Sequence, residues 1–299
     1  MSPLIPGDEN LGKDFHLRVY CNPDRQRAGH TPVDDLDILE VISAAHRFGV
    51  DRVHYSGGEP TLSPGLLRYL AHARELGYVE QAMTTDGLHL SGLLPQLLDA
   101  GLTRVTISLD SLRPQRGDDT LDIVLRALDD SVEAFGAVKV NTLLGKDPDE
   151  VTELVAWAGG YGGRVTLRLI EVWSDQPVFD GDRPDDQAVP AERALDLIAA
   201  KFGRPVPDAA GDADKNPACR YYRVPGSAAR IGIVAAHPTG DRRDRELRLS
   251  PYGDLSRCVI SEGVDIKDTT LSQKHDALRT VLALGPSPAP RGRSLASRK

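Results

Sequence analysis

From about residue 15 to residue 171, short β-branched runs alternate with stretches in which apolar residues recur every three or four positions. That alternation predicts βαβ units and a parallel sheet. Six strands are expected: Phe15 to Tyr20, Arg52 to Ser56, Val79 to Thr84, Arg104 to Leu109, Ala137 to Leu143 and Arg164 to Glu171. The helix between the first two, Asp34 to Phe48, carries Leu36, Leu39, Val41, Ile42 and Ala45 as an expected buried stripe, with Asp34 or Asp35 as its cap. Gly49, Gly77, Gly101 and Gly136 stand where helices should stop.

After residue 171 the rhythm changes. Residues 174 to 189 are acidic and proline-bearing, and interrupt the alternation as an active-site loop or connector would. A helix is expected over Ala191 to Phe202, then a loop over 204 to 217. Arg220 to Pro225, Ala229 to Ala235 and Glu246 to Ser250 read as short antiparallel strands. The residues from Pro286 to Lys299 have little apolar content and read as a disordered tail.

Composition narrows the partners more than the fold. The chain has 299 residues, 40% hydrophobic and 27% charged, enough for one large α/β barrel or two modest domains. A net charge of -8 argues against nucleic acid as a partner, while leaving room for a local basic pocket. No run approaches the roughly 20 apolar residues that cross a bilayer, so neither a membrane partner nor export is expected, and the cytoplasm is the default location. Cys21, Cys219 and Cys258 are too few and too scattered for a disulfide framework.

The candidate chemistry begins at Gly57-Gly58-Glu59-Pro60, directly after a strand. Paired glycines let a backbone approach a ligand closely, and Glu59 could accept hydrogen bonds from an ammonium group. The same four residues could equally be a plain strand-to-helix turn. Other strand ends add to the picture: Met83-Thr84-Thr85-Asp86-Gly87, Val105-Thr106-Ile107-Ser108-Leu109-Asp110-Ser111-Leu112, Val138-Lys139-Val140-Asn141-Thr142 and Leu167-Arg168-Leu169-Ile170-Glu171 follow in order. Together these motifs resemble the radical S-adenosylmethionine (SAM) superfamily, and within it the GTP 3',8-cyclase family of molybdenum cofactor biosynthesis, over about residues 12 to 265.

The resemblance implies an α/β fold, a partial (βα)6 TIM-like barrel with a small β-containing C-terminal extension and its ligand at the C-terminal strand ends. It places the SAM-binding barrel at 12–203, an extension covering the barrel mouth at 204–275 and the tail at 286–299. Gly57, Gly58, Glu59 and Pro60 would hold the methionine amino group, with Thr85 and Ser108 near the carboxylate and ribose. Arg168 would lie close to the same groups and Trp173 near the adenine. His16, Lys139 and Arg248 would be substrate contacts. The same positions also admit structural roles.

One departure changes the expected chemistry. The family's C-x3-C-x2-C motif, which binds a four-iron, four-sulfur cluster, faces Cys21-Asn22-Pro23-Asp24-Arg25-Gln26-Arg27-Ala28-Gly29-His30 in this chain. Soft thiolates are what such clusters require, and arginine cannot replace them. The family's second cluster motif likewise meets Asp241 and Asp244, with only Cys258 retained, and a family arginine two residues before Arg248 is Glu246. The expectation is therefore a SAM-binding enzyme without an iron-sulfur cluster, working on a small molecule by polar transfer, methyl before aminocarboxypropyl. Glu171, Asp110 or His30 would serve as base. A catalytically inactive SAM- or nucleotide-binding partner protein is the alternative.

Overall fold

The computed structural model describes residues 7–23, 30–113, 119–145, 147–172, 189–208, 219–235, 245–257 and 263–283. Six βα units come first. They comprise β1 (His16–Tyr20), α1 (Asp35–Arg47), β2 (Arg52–Ser56), α2 (Leu66–Leu76), β3 (Glu80–Thr85), α3 (Leu90–Ala100), β4 (Arg104–Ser108), α4 (Thr120–Phe135), β5 (Val138–Leu143), α5 (Pro148–Gly159), β6 (Val165–Ile170) and α6 (Ala191–Phe202). Then follow β7 (Val206–Pro207), β8 (Cys219–Arg223), β9 (Arg230–Val234), β10 (Glu246–Leu249), β11 (Asp254–Ser256), β12 (Val264–Asp265) and α7 (Leu271–Ala283). The acidic loop, the C-terminal tail, Asp241, Asp244 and Cys258 lie outside the described residues.

All six expected βα strands form, each within a residue of its expected ends at most positions. They pair in parallel in the order β1-β2-β3-β4-β5-β6. The helix entry at Asp34 is a cap, its side chain accepting from the Asp37 N–H at 2.8 Å. The stripe on α1 is Ile38, Val41, Ile42 and Ala45, all buried, whereas Leu36 is 61% exposed. Leu36 precedes Val41 by five residues, which at 3.6 residues per turn rotates it about 140° off that face.

The later strands correct the expectation of an antiparallel group. β10 pairs in parallel with β1, and β9 in parallel with β6, so both open edges of the six-stranded sheet are extended. Only β8, β7, β11 and β12 are antiparallel, outside those two. Alternating burial looks the same in either strand direction, so the sequence pattern finds the strands but not their orientation. What decides it is the supply of unpaired edge groups on β1 and β6 and of outward apolar residues. Ile231, Ile233, Leu247 and Leu249 join the same core as Leu17, Val19, Leu167 and Leu169.

That core lies between the sheet and its surrounding helices, and includes Tyr55, Met83, Ile107 and Val140 with Ile38, Leu70, Leu97, Val124 and Val155. The result is an α/β partial barrel with a largely parallel sheet. Strand periodicity then dictates the inner face. Residues alternating with the buried set are polar along nearly every strand: His16, Arg18 and Tyr20; His54 and Ser56; Arg104, Thr106 and Ser108; Lys139 and Asn141; Arg168; Arg230; Glu246 and Arg248. Register aligns them across strands, as in Arg248↔Arg18↔His54 and Ser108↔Asn141↔Arg168.

Candidate functional site

The turn after β2 is built as a cradle. Gly57 has φ of 130°, and a Cβ placed there would come within 2.6 Å of the Asn22 carbonyl oxygen, so only glycine fits. Asn22, just past β1, is stitched to the turn by three hydrogen bonds. Its carbonyl accepts from the Gly58 N–H at 3.0 Å, its Oδ1 accepts from the Glu59 N–H at 3.2 Å, and its Nδ2 donates to the Glu59 carbonyl at 2.7 Å.

Glu59 itself is buried, at 7% exposure, and its carboxylate faces the protein. One oxygen accepts from the Thr61 N–H at 2.9 Å, the Thr61 hydroxyl and the Thr85 hydroxyl at 2.7 Å; the other accepts from the Asp86 N–H at 2.7 Å. The carboxylate thus clamps the β2 turn to the end of β3, and the turn's backbone is what faces outward. Thr85 is 2% exposed, donating to Glu59 and accepting from the Gly87 N–H at 3.1 Å. Pro60, also buried, starts a single 3-10 turn capped by Glu59. Burial and the nearby Glu59 charge push the Asp86 carboxyl up.

The next strand ends form a row across the sheet. Ser108 ends β4 and pairs in register with Asn141 on β5, which pairs with Arg168 on β6. The Oδ1 of Asn141 is buried and has no hydrogen-bond partner among the described residues. A buried acceptor left unpaired costs free energy, which a donor from a ligand would recover. Of the three expected bases, Asp110 is exposed past β4 and accepts from the Leu143 N–H at 2.8 Å. Glu171, past β6, accepts from the Ala191 N–H at 3.3 Å. His30 is exposed, with its ring edge-on to Tyr252 at 5.5 Å between centroids. Trp173 lies outside the described residues.

Deeper in the barrel, the expected substrate residues His16 and Arg248 meet on Glu246. The Glu246 carboxylate stands 2.7 Å from His16 Nε2, 3.0 Å from an Arg18 guanidinium nitrogen and 2.5 Å from Arg248 Nε. Arg248 also donates to the Tyr20 hydroxyl at 3.0 Å. Burial pushes the Glu246 carboxyl up, but Arg18, His16 and Arg248 outweigh it and hold the group well below the usual carboxylate range. Beside them His54 bonds the Thr84 hydroxyl at 2.8 Å, and burial together with the Arg18 and Arg104 charges holds its imidazole well below 6.5. Lys139 stands one residue into β5, in register with Thr106 and Thr166 on the inner face.

Sequence reasoning passed over Asn22, Arg18, His54 and Arg104 as site residues. Period-two counting along Arg52-Val53-His54-Tyr55-Ser56 and His16-Leu17-Arg18-Val19-Tyr20 would have put His54 and Arg18 on the inner face. An asparagine directly after β1 carries no such periodic signal.

A turn that only glycine can make, a row of polar residues toward the C-terminal strand ends and a polar inner face belong to a partial α/β barrel, a class whose ligands sit at that end of the strands. Residues 19–158 match the family described as the Radical SAM superfamily. The chain belongs to that superfamily. Within it, the chain is 31% identical to the GTP 3',8-cyclase of Rhodopseudomonas palustris, an alignment covering 92% of this chain and 83% of the relative. It is 28% identical to the GTP 3',8-cyclase of Nautilia profundicola, over 84% and 79% of the two chains. The fold is shared with Streptococcus suis SuiB bound to S-adenosylmethionine, at TM-score 0.60 and 15% identity over 88% of this chain and 65% of SuiB. It is shared also with anSMEcpe with bound AdoMet, at TM-score 0.55 and 12% identity over 89% and 82%.

These findings overturn the expectation of a methyltransferase, or aminocarboxypropyl transferase, working by polar displacement without a cluster. The chain's kin are radical SAM proteins and GTP 3',8-cyclases, which point to radical chemistry, and the inactive partner protein gains no support from them. Members of this superfamily normally carry an iron-sulfur cluster, so the donor set matters. Cys21 is the single thiol in the loop after β1; it lies 3.9 Å from the Val19 carbonyl, and burial pushes it up to about 12. Cys219 is buried on β8, with six strands between it and β1 in the sheet. Those donors do not fit a three-thiolate site in that loop. No helix among the described residues is long and apolar enough to cross a membrane.

Proposed function

We propose that the protein is a SAM-binding enzyme of the radical SAM superfamily that acts on a small polar molecule held against the inner face of the barrel. The methionine end of SAM sits on the backbone of Gly57, Gly58 and Glu59, with Pro60 fixing the exit of the turn. Thr85 supports that turn through Glu59, while Ser108, Asn141 and Arg168 receive the ribose and carboxylate. The barrel of residues 12–203 supplies this turn and row. The extension of residues 204–275 supplies flanking walls through β9 and β10. The relatives' names give GTP as their substrate, and the polar inner face of this chain, with His16, Tyr20 and Lys139, suits the nucleoside part of such a molecule. His16 and Lys139 line the substrate side, and Asp110 and Glu171 stand at strand ends where a proton could be exchanged with it.

The observation that carries this reading is the unpaired, buried Asn141 Oδ1 in the strand-end row opposite a glycine-only turn. Calorimetric titration of SAM tests it. One-to-one binding is expected, weakened about fivefold in Asn141→Ala by the loss of one hydrogen bond worth about 1 kcal/mol. Absence of SAM binding by the wild-type chain would overturn the proposal.

A further inference from the structure

Glu246 is a buried carboxylate placed where a substrate-binding wall would be expected to keep its cations available. It is 6% exposed, and both of its oxygens are engaged: Oε2 by the His16 imidazole and the Arg18 guanidinium, Oε1 by the Arg248 guanidinium. Arg248 is held from a second side by the Tyr20 hydroxyl at 3.0 Å. On the eight parallel strands, the inward-facing carboxylates among the described residues are Glu246 and Glu80, and Glu80 sits against Arg104 at 2.7 Å. The neighbouring His54 adds a neutral imidazole rather than a cation.

We propose that Glu246 is a specificity-determining residue, which cancels the charge of the β1–β10 wall so that the wall takes an uncharged polar part of the substrate rather than a phosphate chain. With Glu246 ionised, the charges of Arg18 and Arg248 sum with it to a single positive charge instead of two. One nitrogen of the Arg18 guanidinium and one of the Arg248 guanidinium are turned onto the carboxylate, which competes there with the oxygens of a phosphate. A polyphosphate approaching this wall meets guanidinium groups already paired and, beside them, a fixed carboxylate that repels it at close range. Neutral hydroxyl, amide and heterocyclic groups meet no such barrier, and they can bond the Tyr20 hydroxyl and His16. The fitting substrate is a nucleoside-like or other polyhydroxylated heterocycle, with at most one charged group turned elsewhere. This inference rests on the inner face being the substrate site.

The test uses the full chain, wild type, Glu246→Gln and Glu246→Arg, titrated calorimetrically with inorganic tripolyphosphate and, separately, with SAM. Glutamine keeps the shape and removes the charge; arginine reverses the charge. Tripolyphosphate affinity is expected to rise at least tenfold in Glu246→Gln and further in Glu246→Arg, while SAM affinity stays within twofold of wild type. Wild-type affinity for tripolyphosphate equal to that of both variants, including no binding by any of the three, would overturn the inference. The SAM titration separates the two readings: SAM binding with unchanged tripolyphosphate affinity sinks the role of Glu246 alone, whereas loss of wild-type SAM binding sinks the proposed function. Circular dichroism melts of both variants guard against misfolding, and either folded variant is enough to decide the outcome.

Discussion

Replacing Gly57 by alanine tests the cradle at its tightest point. The residue has φ of 130°, a region in which an L side chain is strained, and its new Cβ would lie 2.6 Å from a backbone oxygen of Asn22. A backbone atom cannot swing aside as a side chain does. Relief therefore requires the β2 turn and the residue after β1 to separate, giving up the three hydrogen bonds at 3.0, 3.2 and 2.7 Å between them. At about 1 kcal/mol each, the loss is about 3 kcal/mol. If SAM requires the native turn, that cost passes into binding as about a hundredfold rise in Kd, at about 1.4 kcal/mol per tenfold. Calorimetric titration of Gly57→Ala against wild type measures it. Gly92→Ala is the control: that glycine lies in α3, where an added Cβ would meet nothing within 4 Å, so the helix should gain about 1 kcal/mol and SAM affinity should not move. Gly57→Ala binding SAM within threefold of wild type would refute the role of the turn.

Two further outcomes follow from the buried charges. His54 is held below its ordinary 6.5 by burial and by the Arg18 and Arg104 charges; below that pH the unfolded chain takes up a proton that the folded chain resists. Stability is thus complete above about pH 6.5 and falls as pH drops, by at most about 1.4 kcal/mol per pH unit, and urea denaturation of His54→Gln should lack this component. Lys274 is 1% exposed at the α1–α7 contact, 2.7 Å from Asp37 and 2.8 Å from Glu40. Lys274→Met should cost about 3 kcal/mol in urea denaturation by leaving the Asp37 carboxylate buried without its cation, with SAM affinity unchanged.

The strands and helices of the six βα units were legible because each alternates between two periods, and the glycines that end α2 and α3 announce their caps; Gly77 and Gly101 both adopt positive φ. Strand direction was not legible for β9 and β10, since Arg230-Ile231-Gly232-Ile233-Val234 alternates identically whichever way it runs. The Gly57–Pro60 turn was legible as a motif, but its mechanics were not. Glu59 looks like an amine acceptor in sequence, yet its carboxylate bonds Thr61 in its own turn and Thr85 and Asp86 at the end of β3. The same holds for Glu246. Its neighbour in sequence is Arg248, but Arg18 and His16 reach it only because β10 pairs with β1 across more than 200 residues. The reaction class was the least legible part, because the cysteine pattern of one loop points away from the kinship spread over the whole barrel.

In the proposed function, the β2 turn and the Ser108–Asn141–Arg168 row are a single SAM site. A crystal structure of the protein soaked with SAM measures that directly. The SAM ammonium is expected within hydrogen-bond distance of the Gly57 to Glu59 backbone, with a SAM donor on Asn141 Oδ1. SAM bound elsewhere in the barrel, with the Asn22-stitched turn untouched and Asn141 Oδ1 still unpaired, would contradict it.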